Sequence, residues 1–166
     1  MENCNNLITY VNWFATIVSC IGAFMAVKYY RKSRLLTIYA NTNIVFIEIE
    51  KMLNKLTDAL AATNRSAQIR RGVNLKYTIY EIGKDLSSSY NTIRKNIPMT
   101  YSKELFQLEN YASFNLQDYI NSYVSGTALQ EDNTLDSMHF VMCQEQLKRM
   151  QEYLKQKIVE TEKRLK

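Results

Sequence analysis

Twenty-one consecutive residues, Leu7 to Val27 (LITYVNWFATIVSCIGAFMAV), carry no charge. A helix of that length, at ~1.5 Å rise per residue, spans roughly 30 Å, the thickness of a bilayer's hydrocarbon core. Lys28, Arg31, Lys32 and Arg34 follow directly, and Glu2 is the only charged side chain before the run. Cationic residues are retained on the cytoplasmic side, so the pattern predicts an N-terminus outside and the remainder inside. Tyr29 and Tyr30 then fall at one interface, with Tyr10 and Trp13 toward the other. A cleaved signal peptide fits less well. It needs a basic start and small residues at a cleavage site, and Ala23-Phe24-Met25-Ala26 is a poor match. A buried core helix is disfavoured because the run exceeds what one face of a small domain requires.

Within this run Asn12, Ala15, Ser19, Gly22 and Ala26 recur at alternating spacings of three and four, one stripe of a helix. Small residues let membrane helices approach closely, and Asn hydrogen-bonds across an interface. The stripe predicts self-association. The bland reading is that such residues are common in membrane helices. A polar stripe also lines a water-filled path when helices assemble.

Beyond the anchor, composition decides the fold class. The 166 residues include 4 Gly and 1 Pro, together about 3% against an average nearer ~12%. Antiparallel β folds use those residues at many tight turns, so an all-α chain is expected. The predicted organisation is an anchor with its basic stop over 1–34 and a cytosolic helical bundle of about four helices over 35–166. Leu35 to Ala62 shows helical apolar spacing, and no Gly or Pro separates it from the anchor. The membrane helix is thus expected to run on as a rigid stalk, although Ile44–Glu50 is β-branched enough for a local strand. Thr63–Asn74 reads as a connection. Leu75, Ile79, Ile82, Leu86, Tyr90, Ile93 and Ile97 mark a second helix stopped by Pro98. Thr100 or Ser102 is expected to cap a third, burying Leu105, Leu108, Ala112, Leu116, Tyr119, Ile120 and Tyr123. Ser125–Asn133 is polar, and a last helix is expected from Thr134 to the end.

The charge excludes less than it first suggests. The chain is +5 overall, but from Leu35 onward 17 basic residues meet 15 acidic ones. A near-neutral soluble part exerts little long-range pull on DNA, and no DNA partner is expected. Cys4, Cys20 and Cys143 show no paired spacing, which fits a main domain in a reducing compartment. His139 and Cys143 share a helix face, but no other histidine exists to complete a metal site. No metal and no cofactor are expected. Nucleophilic catalysis would rest on His139 alone, and phosphate-cradling glycine loops are absent, so no enzymatic activity is expected.

One segment does suggest a ligand. Arg65, Arg70, Arg71 and Lys76 cluster with Asn64, Asn74 and Tyr77. Arginine forks bind phosphate in bidentate fashion, tyrosine stacks on bases and asparagine pairs with adenine edges. The expected ligand-binding set is Arg65, Arg70, Arg71, Asn74, Lys76 and Tyr77, with Arg94 and Lys95 extending it if that helix end packs nearby. The bland alternatives are a solvated loop or attraction to anionic lipid. The twelve tyrosines read as core-edge residues, ring buried and hydroxyl wet.

The layout of an N-out helix at Leu7–Val27, a basic stop at Lys28–Arg34 and a small helical domain resembles the one-pass membrane effectors of bacterial antiphage defence. Accessory effectors of type III CRISPR systems are among them. That resemblance is architectural, spans the whole chain and matches no motif residue by residue. It implies a cyclic oligoadenylate ligand, a homo-oligomer and action through the inner or plasma membrane. The expectation is a membrane-anchored sensor and effector. The alternative is a non-enzymatic scaffold docking a partner through amphipathic helices, above all the Leu147, Met150, Leu154 and Ile158 stripe.

Overall fold

A computed structural model describes residues 2–64, 75–109, 115–125 and 137–166, with side chains over 10–57, 80–108, 115–121 and 141–166. Among the described residues there are five α-helices and no strand: α1 (Glu2–Asn64), α2 (Leu75–Asn96), α3 (Ser102–Glu109), α4 (Leu116–Ser125) and α5 (Ser137–Leu165).

The all-α expectation holds, and α1 is one unbroken helix of 63 residues. Gly22 is the only glycine in it and it contains no proline, so nothing in the stalk interrupts the hydrogen-bond ladder. The β-branched stretch from Ile44 is helical. Val45 and Ile49 are fully buried while Ile44 and Ile47 are exposed, which is the one-turn spacing of a helix and not the alternation of a strand.

Packing follows a heptad that periodicity alone understated. On α1 the fully buried positions are Thr42, Val45, Ile49, Met52 and Leu56. On α5 the buried row is Cys143, Leu147, Met150 and Leu154, with Thr161 continuing it and Gln146 buried alongside. Both rows step by three and four, the spacing that keeps a seam against a partner helix. Burying a Leu, Ile or Met side chain contributes roughly 1.5–3 kcal/mol. α2 adds Ile82, Leu86, Tyr90 and Ile93, α3 adds Leu105, and α4 adds Leu116 and Ile120.

Contacts between helices fix their directions. Lys55 Nζ lies 2.8 Å from Asp85 Oδ2, and Glu48 is hydrogen-bonded by Ser89, so α1 and α2 are antiparallel. Tyr101 hydrogen-bonds Thr42 and meets Tyr153 edge-on at a centroid separation of 6.0 Å, which sets Tyr153 beside the Thr42 turn. Cys143 and Leu147, earlier in α5, are fully buried, so they lie alongside Ile49–Leu56 and not beside exposed Arg31–Arg34. α5 therefore also runs antiparallel to α1. α4 packs on α2, and α3 packs on α5. Asn64 and Leu75 mark one end of the bundle. Asn96, Tyr101 and the C-terminal turns of α5 lie toward the other end, from which the N-terminal half of α1 projects.

Two expectations need correction. The third helix is two. Leu105, Leu108, Ala112 and Leu116 keep a helical period, but α3 ends at Glu109 and α4 begins at Leu116. Asn115 Oδ1 caps α4 by accepting from the backbone N–H groups of Gln117 (2.9 Å) and Asp118 (3.3 Å). Leu108 and Tyr119 are half-buried, while Ala112 and the Tyr123 side chain lie outside the described residues. Ser102 does not cap α3 either, because its hydroxyl donates back to the Met99 carbonyl at 3.3 Å. Pro98 does end α2 as expected. It opens a single 3-10 turn over Met99–Tyr101, with Tyr101 N–H donating to the Pro98 carbonyl at 3.3 Å.

Candidate membrane segment and ligand segment

α1 is long and apolar enough, by length and composition, to cross a membrane. Every described side chain from Tyr10 to Arg34 is exposed. Trp13 at 66%, Phe14 at 70% and Phe24 at 71% are exposed in the fold, an apolar surface of the kind that marks a membrane or protein interaction site. The five stripe residues lie on this free section. A Cβ added at Gly22 would meet nothing within 4 Å, so the chain's own fold makes no use of that glycine. Thr16 Oγ1 donates to the Asn12 carbonyl at 2.8 Å. That local bond satisfies the hydroxyl within the helix, as the same bond one turn back does for Thr37, Thr57 and Thr92.

The ligand segment is only partly placed. Arg65, Arg70, Arg71 and Asn74 lie outside the described residues. Lys76 and Tyr77 sit in the first turn of α2, and their side chains lie outside the described ones. The bracketing residues are informative. Asn64 and Leu75 are at the end of the bundle remote from the apolar section. From Val27 to Asn64, α1 extends about 55 Å at its helical rise. Arg94 and Lys95 lie in the last turn of α2, at the opposite end from Lys76 and Tyr77. α2 is continuous, and roughly 25 Å of helix separates Tyr77 from Arg94. Arg94 instead lies over the rings of Tyr90 (5.4 Å) and Phe106 (4.6 Å) and donates from Nε to Tyr90 Oη at 3.1 Å. It fastens α2 to α3. The i,i+4 spacing of Tyr90 and Arg94 was the available signal for that clasp.

Burial pushes the Cys143 thiol up, away from the thiolate that metal binding or nucleophilic attack requires. No cluster of metal-ligating side chains occurs among the described residues, and the His139 side chain lies outside them. Burial raises the Tyr101 hydroxyl to about 12, outweighing the lowering effect of its bond to Thr42. At Glu48 burial pushes upward, but hydrogen bonds from Lys51 and Ser89 prevail and leave the carboxyl below its ordinary value. Lys157 is raised by its hydrogen bond to Glu160, 3.0 Å away.

The stripe that would dock a partner is occupied. Leu147, Met150 and Leu154 are buried in the seam, and Ile158 is half-buried. The buried link from Thr42 through Tyr101 to Tyr153 was not anticipated, since its members are far apart in sequence and carry no spacing signal. No known protein family, curated protein or solved structure matches the chain.

Proposed function

We propose that this protein is a single-pass membrane sensor and effector. Its cytosolic helical bundle binds an anionic ligand, and its α1 segment self-associates in the bilayer. The observation that carries the reading is the division of α1 into an exposed apolar section and a section whose buried row seats a packed bundle. The basic residues between the two, Lys28–Arg34, favour an N-terminus outside and the bundle in the cytoplasm. The Asn12–Ala26 stripe supplies the self-association face.

The ligand reading rests on Arg65, Arg70, Arg71, Asn74, Lys76 and Tyr77, a residue mix suited to a nucleotide or cyclic oligonucleotide. A ligand shared between subunits shifts assembly only by its differential affinity for the two states. The antiphage resemblance names cyclic oligoadenylates as the first compounds to try. The mechanism is non-enzymatic: ligand at the far end of the bundle stabilises one assembled state, and the unbroken α1 carries that preference to the membrane.

The test is the native mass of the detergent-solubilised full-length chain, with and without a panel of cyclic oligonucleotides. One nucleotide that stabilises a defined oligomer, with binding abolished by Arg70→Glu together with Arg71→Glu at unchanged helicity, is the expected result. Binding that survives both substitutions refutes the site. Indifference to every nucleotide refutes the ligand class.

A further inference from the structure

The end of the bundle from which α1 projects gathers cations from two stretches far apart in sequence. Lys28, Arg31, Lys32 and Arg34 are exposed and have no ion-pair partner among the described residues. The last turns of α5 are also basic. Lys155–Lys166 holds five basic and two acidic residues, and both acids are engaged, Glu160 by Lys157 and Glu162 by Lys166, each at 3.0 Å. Lys163 and Arg164 are exposed and likewise have no ion-pair partner among the described residues.

The antiparallel seam brings the two stretches to one level. In an antiparallel pair the 4-3-4 steps of the two buried rows match with Leu154 at the level of Val45, and that register carries Thr161 to the level of half-buried Ile38. Continued, it brings Arg164 to the level of Leu35 along α1. Arg31 continues the α1 row one turn beyond Leu35, below the end of α5. Leu35 lies about 12 Å along the helix from Val27, the last residue of the uncharged run. Headgroups extend roughly 5–8 Å beyond the hydrocarbon, and the screening length in physiological salt is about 8 Å. Long Lys and Arg side chains also reach toward an interface. Lys163 and Arg164 are therefore within electrostatic range of the phosphates that surround Lys28 and Arg31.

We propose that Lys28, Arg31, Lys32 and Arg34 of α1, with Lys163 and Arg164 of α5, form a two-part docking surface for anionic phospholipid headgroups. The inference rests on the reading of α1 as a membrane span. Charge complementarity and continuity with the apolar section select the bilayer as the occupant. The α1 cations are held there by the span itself. Those of α5 add a second attachment, which fixes how the bundle stands on the membrane and makes its stance depend on lipid charge.

The test uses the full chain in nanodiscs of phosphatidylcholine alone and of phosphatidylcholine with about a third phosphatidylglycerol. The readout is amide hydrogen exchange in Ile158–Lys166, with Leu7–Val27 followed in the same samples. Each basic residue near an anionic surface is worth about fivefold in binding, so the pair is expected to slow exchange tenfold or more in the anionic discs. High salt should remove the difference, and so should Lys163→Glu with Arg164→Glu. The milder Lys163→Gln with Arg164→Gln should reduce it without repelling the bilayer. Equal exchange in both discs, with Leu7–Val27 protected in both, overturns the docking surface and leaves the membrane reading intact. Free exchange of Leu7–Val27 in both discs removes the membrane reading itself. Lipid dependence that persists in both double variants overturns the assignment to α5. Equal protection in neutral discs on adding RNA overturns the choice of lipid as occupant.

Discussion

Ile17 lies in the middle of the Leu7–Val27 run and is 52% exposed. Replacing it with arginine tests the membrane span against a core role. At the centre of a spanning helix Ile contributes about −0.3 to −0.6 kcal/mol and Arg costs about 2.5–3.5 kcal/mol, so the swing is roughly 3–4 kcal/mol. That is a factor of about 10²–10³ in the insertion equilibrium. The bundle should not register the change. Ile17 is ~37 Å along α1 from Thr42, the first fully buried position, and a surface substitution remote from the core shifts stability by no more than about 0.5 kcal/mol. Alkaline carbonate extraction of membranes reads the first quantity, and the melt of the detergent-solubilised chain reads the second. The native chain should stay with the membranes and Ile17→Arg should be released in large part, with Ile17→Arg plus Ile21→Arg released fully. Retention of the double variant, or a melt several degrees lower for Ile17→Arg, would refute the reasoning. The second result would mean that the segment packs into the core.

Leu147→Ala empties a fully buried seam position and should cost about 2–5 kcal/mol in denaturant unfolding, whereas Met99→Ala, at a residue 96% exposed, should stay within about 0.5 kcal/mol. Asn115→Ala removes the α4 cap and should cost about 0.5–2 kcal/mol, with faster amide exchange at Gln117 and Asp118. Tyr101 titrates near 12 in the fold against an ordinary value of 10.0. The fold thus favours its neutral form, a contribution full below pH 10 and lost as pH rises to about 12. Tyr101→Phe should cost about 0.5–1.5 kcal/mol at neutral pH, because Thr42 Oγ1 still donates to the Ile38 carbonyl at 2.6 Å. It should also flatten the loss of stability between pH 10 and 12, and an unchanged alkaline slope would refute the assignment to Tyr101.

The long apolar helix, the scarcity of Gly and Pro, and the Ile82, Leu86, Tyr90, Ile93 spacing were legible because each is a local property: an uninterrupted uncharged run, turn chemistry, helix period. Pro98 was legible for the same reason. The break between α3 and α4 was not, because Leu105, Leu108, Ala112 and Leu116 keep one period and the capping role of Asn115 depends on where the chain leaves α3. The Thr42–Tyr101–Tyr153 link required knowing which helices meet. The same holds for Arg94, which composition would assign to a ligand and packing assigns to two aromatic rings. The Arg65–Asn74 cluster remains a reading from residue chemistry, with its flanking helix ends as the structural frame.

An unbroken α1 also gears its two halves together. Along a straight helix each residue turns about 100°, so the centre of the Asn12–Ala26 stripe stands roughly 120° around the axis from the row that seats α5. No hinge lies between them to absorb a mismatch. The number of residues from Ala26 to Ile38 therefore sets the direction in which the Asn12–Ala26 stripe looks relative to the bundle. One residue inserted within Lys28–Arg34 would swing that face by about 100° and raise the bundle by only ~1.5 Å. Seven would return it to within about 20° while lifting the bundle by ~10 Å. In an assembly of the kind proposed, angle and height would thus be separable settings, and the segment between the apolar section and the bundle would work as a gear with a fixed number of teeth.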